Sequence, residues 1–142
     1  MFNAKVYKIA VISLSGVMEE TYAAKETVQK WNQENAENTG KLFLLVDEPS
    51  LPDFAKQVDI VISIVSNRVE QGDFVHRCLK DGKQVVLFFN AFPDSVNTIP
   101  SEQRGVEAFR NEVQDSCICA DYNSIAELRS LLNHSIGTAI EC

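Results

Sequence analysis

The sequence predicts a three-layer α/β domain, a parallel five-stranded sheet with helices on both faces. Three observations predict it. Ile60–Val65 (Ile-Val-Ile-Ser-Ile-Val) is an almost unbroken β-branched run, the pattern of a strand covered on both faces. Gln84–Phe89 (Gln-Val-Val-Leu-Phe-Phe) repeats that pattern. Between such runs lie stretches whose apolar residues recur at three- and four-residue steps, and strands alternating with helices imply parallel pairing through right-handed crossovers.

The elements follow in order. Lys5–Ser13 reads as strand one, alternating at first and then wholly apolar. Leu14-Ser15-Gly16 is a small polar turn. A helix is expected from Val17 to about Asn35, with Val17, Thr21, Ala24, Val28 and Trp31 on one stripe and Glu19 and Glu20 at its positive end. The polar stretch that ends in Gly40 is its exit. Lys41–Val46 is strand two, and Asp47–Pro52 is a loop with two prolines. Asp53–Val58 is expected as a short helix. The stretch Asp59–Arg68 holds strand three and the small polar turn after it. Glu70 to about Lys80 is the next helix, with Phe74, Val75, Cys78 and Leu79 inward and Asp81-Gly82 as its stop. After strand four, Asn90–Pro100 is a loop. Ser101 is the expected cap of a helix whose inner face is Val106, Phe109 and Val113. Ser116–Ala120 is a short fifth strand. Asn123 or Ser124 caps a last helix facing inward with Ile125, Leu128, Leu132 and Ile136. Five strands in this arrangement match the flavodoxin-like order 2-1-3-4-5.

Composition narrows the function classes. The 142 residues suit one ordinary domain, with 45% hydrophobic and 23% charged residues. The net charge is −7, from 20 acidic and 13 basic residues. That argues against a nucleic-acid surface, which needs clustered cations to displace counterions. No apolar run approaches the roughly 20 residues of a membrane span. Met1–Lys5 has no apolar segment ahead of a cleavage site, so a cytoplasmic location is expected. The four cysteines are Cys78, Cys117, Cys119 and Cys142. They form no C-x-x-C pair, so no metal site is expected, and buried free thiols are the simpler reading. His76 and His134 each stand alone and read as surface helix residues.

Ligands of open α/β sheets bind outside the carboxyl ends of the strands. Three segments fall there. Ser13, Ser15 and Gly16 follow strand one, where backbone N–H groups and a helix N-terminus can hold an anion. Ser66, Asn67 and Arg68 follow strand three, with Arg68 able to meet a phosphate or carboxylate bidentately and Glu70 as a nearby acid. Asn90 ends strand four and is expected to face the same crevice. A phospho-receiver would need an acidic pair after strand one and an aspartate after strand three. Ser13 and Ser66 stand there instead, so neither a receiver nor a flavin carrier is favoured.

These segments also resemble a known group. Ile12-Ser13-Leu14-Ser15-Gly16-Val17-Met18-Glu19-Glu20-Thr21 is similar to the strand-one motif S-S-P-G-D-V-x-E-E-R of prokaryotic TIR-like domains of unknown function. That group lies within the wider TIR and nucleoside 2-deoxyribosyltransferase-like superfamily. Val58–Ile64 with Arg68 resembles D-I-V-I-G-I-x-x-x-R, and Leu79–Phe89 resembles A-x-x-x-G-K-P-V-x-x-Y-F with Cys78 for the alanine. Gln103–Arg110 resembles Q-L-x-x-V-x-x-F-R, and Tyr122, Ser124, Glu127 and Leu128 match the last-helix motif. The resemblance implies a crevice at strands one, three and four. It also implies either N-glycosidic cleavage of NAD or a nucleoside, or a signalling or defence-associated assembly module. NAD or a related nucleotide is the implied ligand, and a homo-oligomer or an associated effector the implied partner. The family's catalytic glutamate falls on Phe74, however, and the insertion that follows its arginine is absent. Glu70 and Asp73 are then the only candidate catalytic carboxylates nearby. The expectation is a ligand- or partner-binding domain that has lost catalysis. The alternative is an N-glycosidase or deoxyribosyltransferase that uses Glu70 or Asp73.

Overall fold

A computed structural model of the chain describes residues 1–14, 18–46, 58–70, 72–91 and 99–139. Its elements run β1 (Lys5–Ser13), α1 (Met18–Thr39), β2 (Lys41–Leu45), β3 (Ile60–Val65), α2 (Gly72–Lys80), β4 (Gln84–Asn90), α3 (Pro100–Val113), β5 (Ile118–Tyr122) and α4 (Ile125–Ala139). All five strands are parallel, in the order β2-β1-β3-β4-β5. This is the flavodoxin-like arrangement that the alternation of periodicities predicts.

Side chains alternate across a strand, and the two sides of this sheet are covered by different helices. Ile9, Val11, Ile60, Ile62, Ile64, Val86 and Phe88 form one core with Ala24, Val28 and Trp31 of α1 and Leu128, Leu132 and Ile136 of α4. Ala10, Ile12, Val61, Val65, Val85, Leu87 and Phe89 form the other with Val75 and Cys78 of α2 and Phe109 and Val113 of α3. Every residue of β3 is buried.

The strand ends are pinned by specific polar groups. Asp59, just ahead of β3, accepts the Lys8 N–H on its carboxylate at 2.8 Å. Its own N–H donates to the Lys8 carbonyl, and its carbonyl accepts the Gln84 N–H. One residue thus sets the register of β1, β3 and β4 at their amino ends. At the β2 edge, the Asn32 side chain of α1 donates to the Phe43 carbonyl at 2.8 Å and accepts the Phe43 N–H at 2.9 Å. A side-chain amide here mimics a neighbouring strand and occupies an otherwise open edge. Trp31 meets the Phe43 ring edge-on from the same helix, at 5.0 Å between centroids.

Several boundaries depart from the sequence reading. Helix α1 runs to Thr39 rather than Asn35, because its polar residues bond back along the helix. Asn35 donates to the Trp31 carbonyl and Thr39 to the Asn35 carbonyl. Gly40 then turns the chain with φ +70°, where a side chain would be strained. Helix α3 starts at Pro100, with Ile99 as its N-cap and no side-chain cap, so Ser101 does not cap it. The fixed φ of proline suits the first helical position. Ser124 does cap α4: its Oγ accepts the Glu127 N–H, and the Glu127 carboxylate accepts the Asn123 N–H. Strand β5 begins two residues late, since residues 114–116 form a turn after α3. Glu70 lies outside α2, which starts at Gly72. The short helix expected at Asp53–Val58 lies outside the described residues except for Val58, which is not helical.

Two substitutions test this account. Asp59→Ala removes the acceptor for Lys8 and is expected to cost about 1 kcal/mol, read as a lower urea midpoint, with Asp59→Asn losing less. Ser63 is fully buried, and its hydroxyl has no hydrogen-bond partner among the described residues. Ser63→Ala is therefore expected to raise stability by about 1 kcal/mol, and an unchanged or lower midpoint would contradict that reading.

Candidate functional site

At the carboxyl edge the structure brings some of the sequence-selected residues together and separates others. Strands β3 and β4 are neighbours, so Ser66 after β3 and Asn90 at the end of β4 lie side by side. The Asn90 side-chain amide donates to the Ser66 hydroxyl at 3.1 Å. With Asn67 they line a groove of about 150 Å³ whose other wall is α3, through Gln103, Val106, Glu107 and Arg110. Those four residues recur at helical spacing, so they share one face of α3. Phe89 lies on the sheet side of the groove.

Arg68 and Glu70 fall on the other side of α3. They line a second groove, of about 360 Å³, with Val69, Glu102, Gly105, Ala108, Phe109 and Glu112. The Arg68 Nε lies 3.0 Å from a Glu70 carboxylate oxygen, and both side chains are open to solvent. The backbone fixes their place. Leu14 donates its N–H to the Ile64 carbonyl, and Glu70 donates its N–H to the Leu14 carbonyl. The link after β3 is thus laced to the end of β1. A single crevice was expected, and helix α3 divides it.

The other expected residues are placed as follows. Ser13 ends β1 and is half-buried. Asp73 is exposed in the first turn of α2. Phe74, where the resemblance expects a glutamate, packs against the core beneath α2 and α3. Ser15 and Gly16 lie outside the described residues. His76 and His134 are both exposed, and His76 lies 3.1 Å from the Glu112 carboxylate. Among the described residues no group of three potential metal ligands converges, and no helix is long and apolar enough to cross a membrane.

Sequence reasoning missed two features of this edge. The first is Arg110. Its guanidinium lies over the Phe89 ring, 4.7 Å from the centroid, and donates to the Asp121 carboxylate at 2.6 Å. The hydrogen bond to Asp121 and its charge hold Arg110 even more firmly protonated than usual, against the effect of burial. The signal lay in the helical stripe Gln103, Val106, Glu107 and Arg110, which is mixed where a covered face would be apolar. The second is the pair Tyr122 and Glu20. The Tyr122 hydroxyl donates to the Glu20 carboxylate at 3.4 Å. Burial, then the Glu20 charge, pushes the Tyr122 phenol well above its ordinary range. Burial also raises the Glu20 carboxyl, with the Tyr122 hydrogen bond opposing it. The two residues are 102 apart in sequence, and no local pattern pairs them.

No protein-family model matches the sequence, and no curated protein matches it. Solved structures do resemble the fold. A short-chain flavodoxin associated with a PDU bacterial microcompartment superposes with a TM-score of 0.51 at 13% identity, covering 98% of this chain and 99% of its own. Homoserine dehydrogenase from S. aureus gives 0.50 at 10% identity over 84% of this chain. The chain spans only 33% of that enzyme's length. At such identities the likeness is one of fold.

The raised Glu20 carboxyl has a consequence for stability. A carboxyl whose folded pKa exceeds its unfolded value binds protons more tightly in the native state. Its contribution is fully present below the unfolded value, near 4.5, and is lost as pH rises through the folded one. Glu20→Gln keeps a neutral group beside Tyr122 and removes that loss. Relative to wild type, the variant is expected to gain stability between pH 3.5 and pH 7, estimated as roughly the acid-to-neutral window for a carboxyl. Urea midpoints at the two pH values check it, and a difference that does not grow with pH would contradict the assignment.

Proposed function

We propose that the protein is a TIR-like signalling domain that binds a nucleotide-derived ligand at the carboxyl edge of its sheet without cleaving it. The observation that carries this reading is the Asn90–Ser66 hydrogen bond, which joins the ends of β3 and β4 inside a groove with Asn67, Gln103, Glu107 and Arg110. Side-chain amides offer a donor and an acceptor side by side, the complement of a base edge or a carboxamide. Val106 adds apolar surface. The groove holds about 150 Å³, against the ~300 Å³ or more of sites that enclose a drug-sized ligand. It fits one ring-sized fragment, with the rest of the ligand lying along the edge.

The loss of catalysis follows from the carboxylates. Cleaving an N-glycosidic bond needs an anionic group beside the developing sugar cation. Glu70 is already engaged by Arg68, on the far side of α3 from the amide-lined groove. Asp73 lines neither groove, and Phe74 packs half-buried against the core where the resemblance expects a glutamate. Glu107 does line the amide-lined groove, but it falls at a position that the resembled motif leaves unspecified.

Calorimetric titration with NAD, AMP, nicotinamide and 2′-deoxynucleosides tests the proposal. At least one is expected to bind, and Asn90→Ala and Arg110→Ala are each expected to weaken that binding by about tenfold, the worth of one hydrogen bond in a desolvated groove. Chromatography of the same mixtures is expected to show no released base. Turnover of NAD or a nucleoside that disappears in Glu70→Gln or Asp73→Asn would overturn the proposal in favour of an N-glycosidase. A yellow preparation that releases flavin on denaturation would overturn it in favour of a flavin carrier.

A further inference from the structure

Cys117 and Cys119 lie away from both carboxyl-edge grooves. Their Sγ atoms are 3.8 Å apart. Cys117 follows the turn after α3, and Cys119 lies in β5 opposite Leu87 of β4. Both thiols pack against the core beneath α2 and α3, where Cys78 is fully buried while these two are only partly so. Cys117 also lines an open cavity of about 390 Å³ at the amino ends of β4 and β5, beside Lys83, Gln84 and Asp115. A small reagent can therefore approach the pair from solvent.

Two residues of extended chain span about 6.6 Å. That falls within the range of Cα separations, up to about 6.8 Å, that a disulfide bridges. The sulfurs already face one another, so side-chain rotation closes most of the gap.

The geometry points to Cys117 and Cys119 as a modification site, a dithiol that closes to an intrachain disulfide by exchange with a small-molecule disulfide such as oxidised glutathione. The neighbours assign the order of events. Burial raises the Cys119 thiol, but the Arg110 guanidinium favours its thiolate. Burial pushes the Cys117 thiol up to about 12, and its hydrogen is donated to the Val113 carbonyl at 3.2 Å. Cys119 therefore attacks first. Its thiolate forms a mixed disulfide with half of the reagent and expels the other half as a thiol. The Cys117 sulfur then displaces the second thiol from the Cys119 Sγ. Two protein S–H bonds are lost and one S–S bond forms. The two protons and two electrons reduce one reagent disulfide to two thiols. A ring closed across a single intervening residue is tightly constrained, and constrained disulfides are the labile, reversible ones.

The test uses the folded, full-length chain. After incubation with oxidised glutathione, free thiols are blocked and the protein is digested with trypsin. The peptide Asn111–Arg129 carries both cysteines and neither of the others. It is expected to be lighter than its reduced form by two hydrogen atoms, to take no blocking group, and to regain both thiols with dithiothreitol. Cys117→Ser is expected to trap a glutathione adduct on Cys119, because the resolving thiol is gone. Recovery of Asn111–Arg129 with both thiols blocked, or linked instead to Cys78 or Cys142, overturns the proposal. An adduct on Cys117 in Cys119→Ser, with none on Cys119 in Cys117→Ser, overturns the assigned order.

Discussion

The structure depends on burying β3 on both faces. All six of its residues are shielded, between β1 and β4 in the sheet and between two helical layers above and below. Ile60, Ile62 and Ile64 require α1 and α4, while Val61 and Val65 require α2 and α3. Fully burying such side chains is worth about 1.5–3 kcal/mol each, so neither helical layer is dispensable. The same burial means that β3 can meet solvent or ligand only at its ends. One end is occupied by Asp59, which spends its polar groups on register. The other carries Ser66, Asn67 and Arg68, and whatever this domain recognises along β3 must be recognised there.

This constraint explains what was legible in the sequence. A strand covered on both sides shows as a continuous apolar run, so β3 and β4 could be read, and the helices between them follow from connectivity. Neighbouring strand ends are neighbours in space, so the meeting of Ser66 with Asn90 could be read as well. The division of the crevice could not. It depends on where α3 rests across the sheet, which is set by Phe109 and Val113 seating in the lower core. The identity of those residues says that the helix is buried, not over which strand ends it lies. The sequence pattern places Glu70 at the start of a helix. Its backbone N–H is taken instead by the Leu14 carbonyl, a contact between segments 56 positions apart (70 minus 14) that no local pattern records.

Helix α3 also couples charge to packing. Arg110 stacks on Phe89 and binds Asp121, which is paired with Phe89 in the β4–β5 ladder. One side chain therefore ties the helix to β4 and β5 and closes one wall of the amide-lined groove. Such an arginine is held in place by flat contact as much as by charge. A lysine, with no planar fork to lie on the ring and span the carboxylate, would not reproduce it.

Charge also limits what the groove can recognise on the proposed reading. The chain carries a net −7, and the groove contains Glu107 beside an Arg110 already engaged by Asp121. A phosphate would meet little uncompensated positive charge there. The amides of Asn67, Asn90 and Gln103 and the hydroxyl of Ser66 supply direction without charge, and Val106 supplies apolar surface. A nucleotide-derived ligand would then be held by its base or carboxamide, with its phosphates pointing away towards solvent. Recognition of that kind rests on directed hydrogen bonds rather than on charge, which suits a binding module.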